Sequence, residues 1–222
     1  RLQARFRPTL AGLMLLGLLP LGLLARGWAE SSTIASSDVL NRPAVMSPLA
    51  QKSLINGLTQ AGSRWVAVGQ RGHVLISDDQ GKSWSQAGVP VSSDLVAVHF
   101  PQPETGYAVG HDGVVLKSID GGKQWSLVMD GRQQNDVENP YLDVWFDSPE
   151  EGYVVGAFGK ILRTQDGGKT WVNLQDAVDN PNSMHIYNIK RIAGQLYLAG
   201  EQGLFDRYNT QTQRFEKLEL PY

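Results

Sequence analysis

Three stretches of this 222-residue chain place a hydroxyl, a carboxylate and an ammonium group within eight residues, each ending on an indole. They are Ser77-Asp78-Asp79-Gln80-Gly81-Lys82-Ser83-Trp84, Ser118-Ile119-Asp120-Gly121-Gly122-Lys123-Gln124-Trp125 and Thr164-Gln165-Asp166-Gly167-Gly168-Lys169-Thr170-Trp171. A hydroxyl beside Asp and Lys is material for nucleophilic or acid–base chemistry, and the carboxylates could hold a cation. Repetition argues against both, because a catalytic set occurs once per domain whereas this one is copied. An Asp in a tight turn accepts hydrogen bonds from main-chain N–H groups just after it, and a Ser or Thr can do the same. The Gly two positions after the Asp suits a left-handed backbone. The Trp then offers a large apolar face with one N–H to satisfy. The structural set is therefore expected at Ser77, Asp79, Gly81 and Trp84, at Ser118, Asp120, Gly122 and Trp125, and at Thr164, Asp166, Gly168 and Trp171. The histidines, at 73, 99, 111 and 185, are spread over the repeats. His73 and His111 occupy neighbouring turn positions, a weak basis for a metal pair. No His-x-x-x-His, Gly-x-Ser-x-Gly or phosphate-cradling loop occurs. No catalytic residue, metal or cofactor is expected.

The elements that must position these residues follow from the spacing. Each Trp lies fifteen residues after a Gly (Gly69, Gly110, Gly156), and a second Gly follows the first by three (Gly72, Gly113, Gly159). A fourth copy keeps Gly200 and Gly203 but has Phe215 in place of Trp, and Thr210 and Thr212 in place of the Asp and Gly. Successive aromatic positions are 41, 46 and 44 residues apart. Each unit reads as four short apolar runs punctuated by Gly, Pro and Asp. In the second these are Leu95 to Phe100, Tyr107 to Gly110, Val114 to Ser118 and Trp125 to Val128; in the third, Tyr141 to Phe146, Tyr153 to Gly156, Lys160 to Thr164 and Trp171 to Leu174. Such a period predicts an all-β β-propeller of four-stranded blades, here at about 54–87, 95–128, 141–174 and 186–218.

Ahead of the repeats, Arg1, Arg5 and Arg7 precede an apolar run from Leu10 to Ala25, followed by Gly27-Trp28-Ala29. This is the layout of a secretory signal peptide over 1–29. An uncleaved anchor is the rival, but the run is ~16 residues against the ~20 of a spanning helix, so no stable span is expected after cleavage. An exported, periplasmic protein is expected. Residues 30–53, rich in Ser, Ala and Pro, read as a mobile lead-in before a partial propeller at 54–222. Val39 to Val45 are a candidate strand for a distant repeat. The formal charge is −2, and the first 29 residues hold four arginines and no acid, so the remainder is more acidic still. A chain without a basic run is a poor nucleic-acid binder. The absence of cysteine excludes disulfides and thiolate sites.

The [Ser/Thr]-x-Asp-x-Gly-x-x-Trp element resembles the Asp-box, or BNR repeat, of sialidases and related propellers. The longer pattern over Gly106 to Trp125 and Gly152 to Trp171 resembles the Ycf48/Hcf136-like family, named for photosystem II assembly and stability factors. The resemblance covers about residues 54–215. It implies an exported seven-bladed scaffold rather than an enzyme, with a protein client, in some bacteria a membrane protein or an RND-type exporter complex. Four repeats where seven are implied lead us to expect a sector, from a truncated gene product or fragment. The resemblance also implies that the Asp-turns lie opposite the binding face, which is built from the turns between second and third strands and the connections between blades. The candidate partner face then carries Arg71, His111, Asp112, Arg132, Phe158 and His185. The alternative is a glycan-binding or sialidase-like propeller. It lacks an early Arg-Ile-Pro element, and its tyrosines, Tyr107 and Tyr153, sit at matching repeat positions.

Overall fold

The computed structural model describes residues 38–219; the expected signal segment lies outside them. Four antiparallel sheets of four strands each follow one another along the chain, with strands ordered as they come. The first holds β1 (Ile55–Ala61), β2 (Arg64–Gly69), β3 (Val74–Ser77) and β4 (Ser85–Gln86). The second holds β5 (Leu95–His99), β6 (Gly106–Gly110), β7 (Val115–Ser118) and β8 (Ser126–Met129). The third holds β9 (Tyr141–Phe146), β10 (Gly152–Gly156), β11 (Ile161–Thr164) and β12 (Val172–Asn173). The fourth holds β13 (Ile186–Ile192), β14 (Gln195–Gly200), β15 (Phe205–Asn209) and β16 (Arg214–Lys217). The leading strands lie side by side, β1 against β5, β5 against β9 and β9 against β13. The fold is a partial β-propeller. Among the described residues, no helix is long and apolar enough to cross a membrane.

Sheets stacked on both faces need strands apolar on both faces. Accordingly β6 and β10, Gly-Tyr-Ala-Val-Gly and Gly-Tyr-Val-Val-Gly, are buried at every residue. Val66, Val68 and Ile76 of the first sheet meet Ala108 and Leu116 of the second. Tyr107, Val109 and Val115 meet Val144, Val154 and Leu162, and Tyr153, Val155 and Ile161 meet Ile189, Leu196 and Leu198. Each fully buried side chain of this size contributes about 2 kcal/mol, against about 1 kcal/mol for a turn hydrogen bond. The blade-to-blade faces therefore carry most of the stability, and the turns fix register.

Each Asp-turn joins the third strand of a sheet to the fourth. Ser77 Oγ donates to Asp79 Oδ1 (2.8 Å) and accepts from Gly81 N–H (2.8 Å), while Asp79 accepts from Ser83 N–H (2.9 Å) and Ser83 Oγ (2.6 Å). The third copy repeats this set with Thr164, Asp166, Gly168 and Thr170. The second has Gln124 where the others have a hydroxyl, and Asp120 instead accepts the N–H groups of Lys123 (2.9 Å) and Gln124 (3.0 Å). The indole N–H of each Trp donates to its own turn glycine, Trp125 to Gly122 at 2.9 Å. Trp125 and Trp171, which the sequence placed inside strands, sit one residue ahead of β8 and β12, as Trp84 does ahead of β4; the Trp125 N–H donates to the Gly88 carbonyl of the preceding blade (3.0 Å). The fourth turn is closed by Asn209, whose side-chain oxygen accepts from the N–H groups of Gln211 (2.8 Å) and Thr212 (3.3 Å).

Of residues 30–53, expected as a mobile lead-in, the described part, 38–53, is largely exposed but anchored at three buried side chains. Leu40 and Ala44 are buried in the core between the first two sheets, and Ala50 covers Ala67 and Leu75 on the other face of the first. The strand expected over Val39 to Val45 is not formed. Val39–Asn41 is a 3-10 turn capped by Asp38, and the segment is pinned by Ala44 N–H to the Val89 carbonyl (3.0 Å) and Ser92 N–H to the Val39 carbonyl (2.8 Å).

Side chains also stitch the leading strands together. Asp143 of β9 accepts from Ile189 N–H of β13 (3.0 Å) and Lys190 (2.9 Å). His99 of β5 accepts from Phe146 N–H (3.1 Å) and stacks on Trp145 (4.3 Å between centroids). Burial, helped by the Lys190 charge and opposed by Asp147, pushes the His99 pKa down to about 4. The unfolded imidazole titrates near 6.5. Between those values the unfolded chain binds more protons, so stability is full above about pH 6.5 and falls as pH drops towards 4, by up to about 3 kcal/mol. His99→Asn is expected to flatten that limb of a melting-temperature against pH curve; an unchanged slope would show that His99 is not its source. Trp125→Ala should cost about 3–5 kcal/mol in denaturant titration followed by circular dichroism. Trp84→Ala, at a half-buried site, should cost less.

Candidate functional site

The turns between second and third strands share one geometry. Each is a three-residue 3-10 turn whose middle residue has a left-handed backbone: Arg71 (φ 58°), Asp112 (58°), Phe158 (54°) and Gln202 (51°). Each turn is entered through the first glycine of its repeat, where the backbone passes close to another strand. A Cβ on Gly69, Gly110, Gly156 or Gly200 would stand 2.0–2.3 Å from the carbonyl oxygen of Leu54, Asp94, Pro140 or His185. That same carbonyl accepts the N–H of the next residue, Gln70, His111, Ala157 or Glu201, at 2.9–3.1 Å. The residue entering each leading strand is thus clamped to the turn two strands away. Because strands alternate in direction, these turns and the connections between blades share one end of the sheets, and the Asp-turns lie at the other.

The sequence-predicted face residues are distributed along this end. Phe158 is half exposed, at 53%, although it is a large apolar side chain. Its N–H donates to His185 Nδ1 (2.8 Å), and its ring meets that imidazole edge-on at 4.9 Å. His185 is thus half-buried and orients the tip. Its own N–H donates to Glu201 (2.8 Å), which also accepts from the Tyr187 hydroxyl (3.0 Å). These two bonds, the His185 N–H first, hold the Glu201 carboxyl below the usual range. Tyr187, 50% exposed, extends the aromatic row, its ring 6.2 Å from His185. Sequence reasoning missed Tyr187. It is the extra residue of a β-bulge, where register shifts between Ile186 and Asn188, and strand alternation gives no sign of it.

On the second blade, His111 is exposed and Asp112 half-buried at the tip. Arg132, in the single helical turn Gly131–Gln134, is committed to Asp130 (2.7 Å), with Asp38 at 3.5 Å. On the first blade, the Arg71 N–H donates to Asp94 (2.7 Å) while its side chain is exposed. His73 and His111, considered as a metal pair, differ in setting: His111 is exposed. His73 is buried, and its Nδ1 lies 2.9 Å from Ser53 Oγ. Among the described residues, no group of three or more His, Asp or Glu side chains is placed to hold a metal ion. The three Asp-turn carboxylates do not converge; each is bonded within its own turn. Two of them, Asp79 and Asp166, are held at a pKa of about 2, chiefly by the hydroxyls of Ser83 and Thr170.

Comparison with known proteins follows the same lines. The family model described as photosynthesis system II assembly factor YCF48 matches residues 53–119, 76–138 and 123–221. No curated protein matches the sequence. A solved structure of YCF48 bound to a D1 peptide superposes with a TM-score of 0.59 at 19% identity, over 78% of this chain and 56% of that one. YCF48 from Cyanidioschyzon merolae gives 0.56 at 17% identity, over 72% and 52%. The GH74 xyloglucanase from Xanthomonas campestris gives 0.56 at 16% identity, over 82% and 31%. The chain thus spans about half the length of the YCF48 structures it matches, and at these identities the superpositions show the fold. With the family model matched over every residue from 53 to 221, the chain belongs to the YCF48 photosystem II assembly factor family.

Proposed function

We propose that the chain is an exported, periplasmic, non-enzymatic propeller scaffold that captures a protein client on the end carrying the left-handed tips. The observation that carries this reading is Phe158. A phenyl ring on a left-handed backbone is disfavoured, and exposing it forgoes burial. Here it is nevertheless held rigidly outward by His185 and continued by Tyr187. Rigid exposed aromatics that lose little entropy on contact are the usual anchors of protein interfaces. A related propeller has been solved with a D1 peptide bound, which supports a peptide-bearing client. A membrane protein or exporter complex fits a scaffold delivered by the Arg-flanked apolar leader.

The likeness to a xyloglucanase raises a glycosidase reading. Hydrolysis of that kind needs two carboxyl groups facing one bond across about 5–9 Å. Four carboxylates at this end are committed to structural bonds: Asp94 to Arg71 N–H, Asp130 to Arg132, Asp136 to Lys160 and Glu201 to His185 and Tyr187. That favours binding over turnover.

Phe158→Ala is expected to weaken client capture from solubilised membranes by about 2 kcal/mol, roughly thirtyfold, with an unchanged melting temperature. Lys82→Ala, in an Asp-turn at the opposite end, should have no effect. Equal capture by wild type and Phe158→Ala would end the reading, and so would clear turnover of xyloglucan.

A further inference from the structure

Six of the twelve large hydrophobic side chains exposed among the described residues lie between Val45 and Leu58. The segment leading into the first blade reverses what burial favours. Its small residues Ala44 and Ala50 are buried, while Val45, Met46 and Leu49 are 67%, 62% and 60% exposed. A large aliphatic side chain left in water forgoes about 2 kcal/mol. The pose is nevertheless held by several bonds. Ala44 N–H donates to the Val89 carbonyl (3.0 Å), Ser47 N–H to Gln86 Oε1 (2.8 Å) and Gln86 Nε2 to the Val45 carbonyl (3.0 Å). The 3-10 turn Ala50–Lys52 closes through Ser53 N–H to the Ala50 carbonyl (3.0 Å). Leu54 follows, also exposed, and its carbonyl takes the Gln70 N–H of the first tip (3.1 Å).

Charge around these side chains is of one sign. No Asp or Glu occurs between Asp38 and Asp78, a stretch that holds Arg42, Lys52, Arg64 and Arg71. Arg64 is paired with Asp78 (2.7 Å). Arg42, Lys52 and Arg71 are exposed and form no ion pair among the described residues. Arg42, Arg71, Val45 and Leu49 line one cavity of about 550 Å³, so cations and aliphatic side chains share a face. The carboxylates at its margins are occupied: Asp38 takes Leu40 N–H (3.1 Å) and Asp94 takes Arg71 N–H (2.7 Å). A protein interface draws its energy from a few aromatic and Arg anchors seated in pockets. The exposed apolar residues here are all aliphatic. A lipid surface needs only aliphatic side chains that enter the acyl boundary and cations at the level of the headgroups. In sequence the face also follows the apolar run Leu10 to Ala25, itself a lipid-seeking segment.

We propose that Val45, Met46, Leu49 and Leu54, flanked by Arg42, Lys52 and Arg71, form a peripheral docking face for an anionic lipid bilayer. The aliphatic side chains enter the acyl boundary, and the cations meet the lipid phosphates. Such docking goes beyond client capture at Phe158, on the third blade, and does not depend on it.

The chain has no cysteine, so Met46→Cys carries a single polarity-sensitive NBD label in the full chain. Phosphatidylcholine vesicles containing phosphatidylglycerol are expected to shift its emission to the blue, at lipid concentrations where phosphatidylcholine alone leaves it unchanged. The label reads this face alone, so attachment through another part of the chain gives no shift. A label at Ile119→Cys, exposed on the second Asp-turn at the other end of the strands, should stay unshifted. Adding Arg42→Gln/Lys52→Gln should raise the lipid required about thirtyfold, near fivefold per cation. Adding Leu49→Ser should raise it at least about tenfold. An unshifted Met46→Cys label on anionic vesicles would overturn the proposal. So would an equal shift on neutral vesicles, or an equal shift of the Ile119→Cys label. A shift that grows with protein concentration in the absence of lipid would assign the face to a second copy and overturn it too. Phe158→Ala should weaken client capture and leave the lipid shift intact, so either reading can fail without the other.

Discussion

The arrangement depends on one close approach. At Gly69, Gly110, Gly156 and Gly200 the main chain passes so near the carbonyl leading into the first strand that no Cβ could be accommodated. That carbonyl is bonded to the residue opening the turn two strands away. A sheet held only by its ladder could slip by a residue and turn its apolar set outwards. A sheet clamped at this corner cannot, and the packing of blade on blade follows from the fixed register. The Asp-turns do similar work at the far end, where a carboxylate gathers the N–H groups that the turn leaves without partners.

Much of this was legible in the sequence because the devices depend on residue type at fixed spacing. Gly followed by Gly three residues on, then by Trp at fifteen, encodes a hairpin and a plug whose geometry tolerates no insertion. What escaped detection depends on tertiary partners. Leu40, Ala44 and Ala50 are single buried side chains in a segment without period, and their burial needs Val89 and the first sheet to be in place. Asn209 closes the fourth turn one position before the expected acid. Any short side-chain acceptor suffices there, so a search for Asp passes over it. Tyr187 is exposed because the leading strand bulges at that residue, and a bulge leaves no trace in simple alternation.

The candidate site was legible in part. The resemblance implied tips at the end away from the Asp-turns, and the antiparallel order of the strands puts those turns there. The sequence did not show which tip side chains are occupied. Arg132 is tied to Asp130, and His185 serves Phe158 as a support. Arg71, by contrast, uses only its main chain for structure and leaves its guanidinium to a cavity.

The four left-handed tips carry Arg, Asp, Phe and Gln. Their pose is set mainly by the main chain of the turn, with Asp94 and His185 accepting the N–H groups of Arg71 and Phe158. Identity at these positions is therefore uncoupled from folding, apart from a penalty of about 1–2 kcal/mol that any residue with a Cβ bears there. Such a rim behaves like movable type in a fixed rack. Descendants of one wheel can acquire a new clientele by single-letter replacements, with the frame that displays them left untouched.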